Sequence, residues 1–342
     1  MSRAVRLLAP AKLNLGLALV GRRADGYHLL ESLFVPLELC DVLELAVEPG
    51  GEGVALECGP PLDAELPEAL HRVPSGPDNL VHRAARLFCE RAGYRARVSI
   101  RLRKAIPAGA GLGGGSSDAA AVLRGLAGLA GLDLAPEGLA SWALELGADV
   151  PFFLDPRPAR VTGIGERIEP VDGVPALDVV LVNPGKTLAT ADVYRMADQL
   201  GGALTKNRPG STMPALSGWT RDSRDAAPAL RDLLINDLEP AARKLCPSLV
   251  RIADRLDRLG ARAVSMTGSG ATVFGVFDSE QAAQQAAQRW RAEDESRQDD
   301  RSQAASRSDG SSDETPTDCW VRVTRVHAGL AGDRASLVGP VE

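Results

Sequence analysis

Residues 107–117 read Pro-Ala-Gly-Ala-Gly-Leu-Gly-Gly-Gly-Ser-Ser, five glycines and two serines between a strand-like and a helix-like stretch. Backbone without Cβ atoms can wrap closely around an anion, and successive N–H groups can converge on one concavity. A helix that begins there turns its positive dipole end to the same point. Such a loop is built to hold a polyphosphate. Ahead of it, Val98, Ile100 and Leu102 alternate with Ser99, Arg101 and Arg103, the period of a half-buried strand. Behind it, Ser116 or Ser117 is predicted to cap a helix running through Arg124, with Asp118 in its first turn. The P-loop pattern is excluded, because no lysine follows Gly115. Gly109, Gly111 and Gly114 formally meet the dinucleotide pattern, with Asp133 near the expected distance. Asp133 lies in an inter-helix turn rather than at the end of a second parallel strand, so that match is set aside. The plain alternative is a glycine loop that serves close packing alone.

At 342 residues, the chain suggests two domains or one large α/β unit. A net charge of −6 argues against a general nucleic-acid or membrane-surface binder, so any phosphate affinity must be local. No apolar run approaches the ~18 residues of a membrane span, and residues 1–20 show no signal-peptide pattern. Cys40, Cys58, Cys89, Cys246 and Cys319 are scattered and lack CxxC spacing, which fits reduced thiols in a cytoplasm. The histidines are dispersed too, which leaves no His/Cys metal cluster.

The first forty-eight residues are expected to form strands, with Asp25-Gly26 as a hairpin signal. Residues 49–77 look like an irregular excursion. Helices are expected over Asn79–Gly93 and Pro136–Leu146, and strands return between Val161 and Val182. Residues 201–228 read as a loop, Ala229–Leu259 as helical, and Ala263–Phe274 as strand-loop-strand. The polar tract 291–318 lacks the apolar surface to offset its ordering entropy and is expected to be disordered. A last strand, Cys319–Val326, should rejoin the preceding sheet.

Four further segments carry chemistry. Ala9-Pro-Ala-Lys-Leu-Asn-Leu15 puts Lys12 and Asn14 on one face of an early strand, where a lysine and an amide can orient a hydroxyl. Its bland alternative is a solvated edge lysine. In Gly147-Ala-Asp-Val-Pro-Phe-Phe153, Asp149 stands among apolar neighbours, either capping a turn or poised to accept a proton from an alcohol. Tyr27 and His28 follow the Asp25-Gly26 turn and suit a flat heterocycle, one by stacking and one by hydrogen bonds. Thr267, Gly268, Ser269 and Gly270 form a second small-residue loop, either a tight hairpin or the floor of a phosphate cradle.

Together these segments resemble the GHMP kinase superfamily, whose phosphate loop is Pro-x-x-x-Gly-Leu-Gly-Ser/Gly-Ser-Ser. Pro-Ala-Lys-Leu-Asn-Leu, Arg-Arg-Ala-Asp-Gly-Tyr-His and Gly-Ala-Asp-Val-Pro-Phe-Phe narrow the likeness to members whose substrate carries cytidine diphosphate. The resemblance implies an α+β fold of two domains, residues 1–160 like ribosomal protein S5 domain 2 and residues 161–342 ferredoxin-like. It implies an alcohol kinase with ATP as co-substrate and Mg²⁺, cytoplasmic, acting on a small molecule, and either a monomer or a homodimer. Lys12 and Asp149 would be the catalytic pair, with Asp149 as general base. Pro107, Ala108, Gly109, Ala110, Gly111, Leu112, Gly113, Gly114, Gly115, Ser116 and Ser117 would bind the ATP phosphates, and Lys104 would add positive charge beside them. Asn14 would sit by the reacting hydroxyl. Tyr27, His28 and Tyr194 would take the base, with Tyr194 as the opposite stacking face. Thr267–Gly270 would match the family's second glycine motif. The metal ligands stay open, a serine of Ser116-Ser117 being the expected protein contact. Competing readings are a sibling kinase for homoserine or mevalonate, a superfamily decarboxylase, and a catalytically silent nucleotide binder.

Overall fold

The computed structural model describes residues 3–132, 136–201, 227–305, 319–327 and 338–339. Its first sheet grows from a long hairpin, β1 (Arg3–Arg22) against β2 (His28–Pro49), turning where Gly26 takes φ 92°. The distal half of β2 pairs with β4 (Ala96–Arg103), and β3 (Val54–Cys58) lies parallel to β4 at the edge. The near half of β2 pairs instead with β5 (Ala159–Gly163), which carries β6 (Arg167–Pro170). β11 (Val338–Gly339) closes the β1 side. Two expectations change here. Residues 49–77 contain β3 and a short α1 (Glu68–His71), because Val54, Leu56 and Cys58 alternate and find the edge of β4. The expected division at 160/161 falls inside β5, so the first sheet runs on to Pro170.

Helices α2 (Leu80–Ala92), α3 (Gly114–Ala130) and α4 (Pro136–Leu146) pack with the sheet around Phe88, Leu123, Phe152 and Phe153. Asn79 caps α2 by accepting from Val81 N at 2.9 Å, and Gly93 ends it in the left-handed conformation. Helix α3 begins one turn earlier than predicted. Gly113, at φ 72°, is its cap, so Ser116 and Ser117 fall inside the first turn and Asp118 lies beyond it.

The second sheet has the order β10 (Trp320–Arg325), β7 (Asp178–Asn183), β9 (Val273–Phe277), β8 (Ala263–Met266), all antiparallel. With β7, β8, β9 and β10 numbered 1 to 4 in chain order, the sheet runs 4-1-3-2, the ferredoxin-like pattern. Helices α5 (Thr190–Gln199), α6 (Ala227–Leu233), α7 (Glu239–Leu245), α8 (Ser248–Arg258) and α9 (Glu280–Ala305) complete this half. The expected disorder of 291–318 is corrected over 291–305, which continue α9; residues 306–318 lie outside the described part. Ala283, Ala286, Ala287 and Trp290 anchor the helix in the core, and Arg255 holds its next turn through Asp294 at 2.5 Å and the Trp290 carbonyl at 2.5 Å. With that start fixed, a run rich in Ala, Glu, Gln and Arg propagates at little cost. The expected loop over 201–228 and Asp133 also fall largely outside the described residues.

Beneath the glycine loop lies a fully buried charge cluster. Lys104 Nζ donates to Asp118 Oδ2 at 2.8 Å on α3 and to Asp41 Oδ2 on β2. Asp41 Oδ1 also accepts from the backbone N–H of Ala105 and Ile106, at 2.6 and 2.9 Å. The cluster thus ties the end of β4, the centre of β2 and the start of α3 to one point. Two carboxylates outweigh burial and push the Lys104 ammonium above its usual range. Burial, with Asp41 close by, holds the Asp118 carboxyl up at about 8. Loss of the shared cation should be severe: Lys104→Ala is expected to cost about 3–5 kcal/mol in denaturant unfolding, because it leaves the buried carboxylate of Asp41 uncompensated and the Asp118 carboxyl without its partner. The Asp118 carboxyl binds its proton more tightly folded than unfolded, so its stabilising contribution is complete below about pH 4 and is withdrawn as pH rises towards 8. Asp118→Asn should therefore gain on the parent chain across that window and no further above it. Parallel melts at pH 5, 7 and 9 check this; a constant difference between the two proteins would contradict it.

Candidate active site

A cleft of about 910 Å³ opens between the two halves. Its walls are β1, the β1–β2 turn, the glycine loop, the start of α3, α5 and the loop after β8. The β1–β2 ladder slips register between Pro10 and Lys12 and again between Asn14 and Gly16. Bulges of this kind re-aim side chains beside functional sites. Leu13 and Leu15 enter the core, and Lys12 and Asn14 line the cleft.

Lys12 is the focus of the floor. Its Nζ donates to Asn14 Oδ1 at 2.6 Å, sits 4.5 Å from the Phe34 ring centroid and lies 3.6 Å from Asp149 Oδ2. Asn14 is fixed in turn, donating to Ser32 Oγ at 2.9 Å. Burial pushes the Lys12 ammonium below its usual range, and the charge and hydrogen bond of Asp149 oppose that shift. Asp149 keeps a third of its side chain open to the cleft, 34%, because the segment that carries it is pinned by buried Val150, Phe152 and Phe153. A carboxylate so placed can take a proton from a bound alcohol, and the adjoining ammonium can support the resulting charge.

The glycine loop faces this pair. At Gly111 (φ 80°), an added Cβ would stand 2.2 Å from the carbonyl oxygen of Thr267; at Gly113 (φ 72°), it would meet Phe153 at 2.8 Å and Lys12 at 3.1 Å. The loop therefore runs backbone against backbone along the second glycine loop, and Lys12 N donates to Leu112 O at 2.9 Å. Thr267 Oγ1 accepts from Asn14 N at 3.1 Å and lies 3.2 Å from both Asn14 Oδ1 and Gly111 O. Asn236, in the break between α6 and α7, donates to Met266 O at 2.7 Å and Gly268 O at 2.9 Å. Its Asn-Asp-x-x-Pro context, residues 236–240, was the sequence signal for that break inside a stretch expected to be helical.

The structure brings most of the expected residues to the cleft wall: Lys12, Asn14, Tyr27, His28, Asp149, Tyr194, Pro107, Gly109–Gly111, Gly113–Ser116, Gly268 and Ser269. Ala108, Leu112, Ser117, Thr267 and Gly270 stand behind it, shaping the loops from within. Lys104 departs from expectation. Its charge is spent on Asp41 and Asp118, and it does not line the cleft. Asp41 and Asp118 supply those partners; Asp41 left no sequence signal, and Asp118 stood out only as a helix-start acid.

At the other end of the cleft, Tyr27 is exposed at 62% on the β1–β2 turn. Tyr194, expected as the opposite stacking face, packs its ring on His28, with centroids 4.9 Å apart and planes 31° from parallel. Burial, with the Asp149 charge, pushes the Tyr194 hydroxyl up to about 12, so it remains a neutral donor. Among the described residues, no group of three or more His, Cys, Asp or Glu side chains could hold a metal ion. Ser117 Oγ, by contrast, is a buried hydroxyl at the start of α3 with no hydrogen-bond partner among the described residues.

Comparison with known proteins agrees with this geometry. Residues 79–155 match the GHMP kinases N terminal domain, and residues 213–295 match the GHMP kinases C terminal domain. A 4-diphosphocytidyl-2-C-methyl-D-erythritol kinase from Geobacter sp. (strain M21) is 42% identical over 283 residues, 83% of this chain and 93% of its own. A crystal structure of 4-(cytidine 5'-diphospho)-2C-methyl-D-erythritol kinase superposes with TM-score 0.65 and 35% identity, over 96% of this chain and 100% of that one. A homoserine kinase from Cytophaga hutchinsonii superposes with TM-score 0.68 at 18% identity, over 96% of each chain, which is likeness of fold alone. The chain belongs to the GHMP kinases and, within them, to the 4-diphosphocytidyl-2-C-methyl-D-erythritol kinase family.

Proposed function

We propose that the chain moves the γ-phosphoryl group of ATP to the 2-hydroxyl of 4-diphosphocytidyl-2-C-methyl-D-erythritol, giving the 2-phosphate and ADP for isoprenoid precursor synthesis. The observation that carries this reading is the Lys12–Asp149 pair, 3.6 Å apart and facing the glycine loop across one cleft. Asp149 takes the proton of the 2-hydroxyl as its oxygen attacks the γ-phosphorus, and the β–γ bridging oxygen leaves with ADP. Lys12, held by Asn14, stabilises charge on the attacking oxygen. The N–H groups of residues 109–117 and the start of α3 cradle the phosphates, so the protein's work is positioning and charge neutralisation.

Magnesium would enter held largely by the nucleotide's own phosphate oxygens, as this ion commonly does, and would neutralise their charge. Ser117 Oγ, lacking a hydrogen-bond partner among the described residues, and Ser116, on the cleft wall, are the hydroxyls that fit it. At the far end Tyr27 stacks on the cytosine, His28 hydrogen-bonds its edge, and Tyr194 backs His28. A cytoplasmic setting suits both substrates; among the described residues, no helix is long and apolar enough to cross a membrane.

The primary test is ADP release with Mg-ATP in the presence of the cytidylyl substrate, homoserine or mevalonate. Turnover with the cytidylyl substrate alone is the expected result; turnover with homoserine or mevalonate instead would keep the superfamily and discard the substrate. Asp149→Asn should lower kcat by ~10²–10⁴-fold with ATP binding retained, since it removes the base and leaves the phosphate loop untouched. Equal loss of nucleotide affinity would count against that role. Tyr27→Ala should raise KM for the cytidylyl substrate about tenfold, the order expected for one base–aromatic stack, and leave KM for ATP unchanged. Chelation of divalent metal should abolish turnover, and added Mg²⁺ should restore it.

A further inference from the structure

Asp198 stands on the last turn of α5, in the second half of the molecule, and reaches the β1–β2 turn of the first half. Its Oδ1 lies 2.8 Å from His28 Nε2, and its Oδ2 lies 3.5 Å from Arg22. The pair is sheltered on one side, His28 having only 11% of its side chain exposed. Tyr194, one helical turn before Asp198, packs on the same imidazole. Thus α5 grips the His28 ring twice, by its face and by one nitrogen.

An ionised carboxylate accepts hydrogen bonds and donates none, so Nε2 must carry the hydrogen. In the neutral ring Nδ1 is then a bare acceptor, and no hydrogen bond among the described residues engages it. The ring lines the cleft, and Nδ1 is the one nitrogen it has left for a ligand. Cytosine presents an amino donor at N4, whereas uracil presents a carbonyl acceptor at the same place. A fixed Nδ1 acceptor therefore favours the first and repels the second.

We infer that Asp198 is a positioning residue for base recognition, locking His28 in the Nε2–H tautomer so that its Nδ1 selects an amino-bearing pyrimidine over its keto counterpart. The inference rests on the cytidylyl reading of the cleft. It gives Asp198 a task distinct from surface pairing, since a merely structural link between the halves would not care which ring nitrogen holds the proton.

Two measurements test it. The first is ¹⁵N NMR of the imidazole nitrogens in the full chain without substrate, with His28→Asn assigning the signals among the four histidines. The parent protein should show His28 as the Nε2–H tautomer, and Asp198→Ala and Asp198→Asn should show a mixture. A parent ring in the Nδ1–H form, or a tautomer unmoved by either variant, would overturn the lock. The second is steady-state kinetics with the cytidylyl substrate and its uridylyl analogue. Asp198→Ala should raise KM for the cytidylyl substrate by ~3–10-fold, the scale of one lost hydrogen-bonded orientation. Its kcat and its KM for ATP should stay within about twofold of the parent, the pattern of lost ground-state binding. Asp198→Asn keeps a tether but satisfies either tautomer, so it should narrow the preference for cytosine over uracil by about tenfold. Parental discrimination in both variants would refute the recognition role. If the parent turns over neither nucleotide-linked substrate, the substrate reading falls and takes that role with it, and the NMR result still decides whether Asp198 fixes the ring.

Discussion

Gly111 and Thr267 approach so closely, backbone to backbone, that no side chain can stand between them. That single contact joins the glycine loop of the first half to the second glycine loop of the other. Around it the remaining constraints fall into place. Thr267 ties back to Asn14, Asn14 holds Lys12, and Lys12 N is bonded to Leu112 O on the same loop. Asn236 secures the partner loop from below, and the segment around it adds to β1, with Leu17 N donating to Ile235 O and Asp237 N donating to Leu17 O. A cleft built this way has Lys12, the first glycine loop and the domain junction on one continuous hydrogen-bond network. Displacing any of the three would shift the others.

The two buried lysines show how surroundings divide labour between identical groups. Both lose most of their hydration. Lys104 recovers it from two buried carboxylates, so its proton is held more tightly than in water. Lys12 has one carboxylate partner at 3.6 Å, itself partly open to the cleft, and burial wins. Its ammonium is under-compensated, which is the state in which an incoming negative charge is most welcome. Proximity to the loop in sequence made Lys104 look like a phosphate ligand; in the fold its contacts go to Asp41 and Asp118.

Much of the site was legible from sequence because its demands are local. Glycines at 109, 111 and 113 announce positive φ and close approach, and an aspartate among apolar residues announces a job. The fold was legible for similar reasons: alternation marked β4, and caps at Asn79 and Gly93 marked α2 within a residue. What escaped was non-local. Asp41 is an isolated acid in a strand, and only folding brings it to Lys104, sixty-three residues away. Asp198 lies 170 residues from the histidine it pairs with. The helix over 291–305 escaped for a different reason. A composition rule weighs apolar content alone, whereas a helix already anchored by Trp290 and Arg255 can extend through polar residues of high propensity.

The distribution of contacts across the cleft couples ligand binding to the arrangement of the halves. At the reacting end Lys12 and Asp149 both come from the first half, and their spacing does not depend on closure. At the base end the wall is shared, since Tyr27 and His28 sit on the β1–β2 turn while Tyr194 and Asp198 sit on α5. A base that engages both sides adds attraction across the junction, on top of the exposed Arg22–Asp198 ion pair there, which by itself is worth little. Under the proposed function, the substrate's own base supplies the preference for the aligned state, far from the hydroxyl that reacts. Binding energy gathered there tightens the complex in which the hydroxyl meets Asp149, a uniform binding that lowers KM and leaves kcat nearly unchanged.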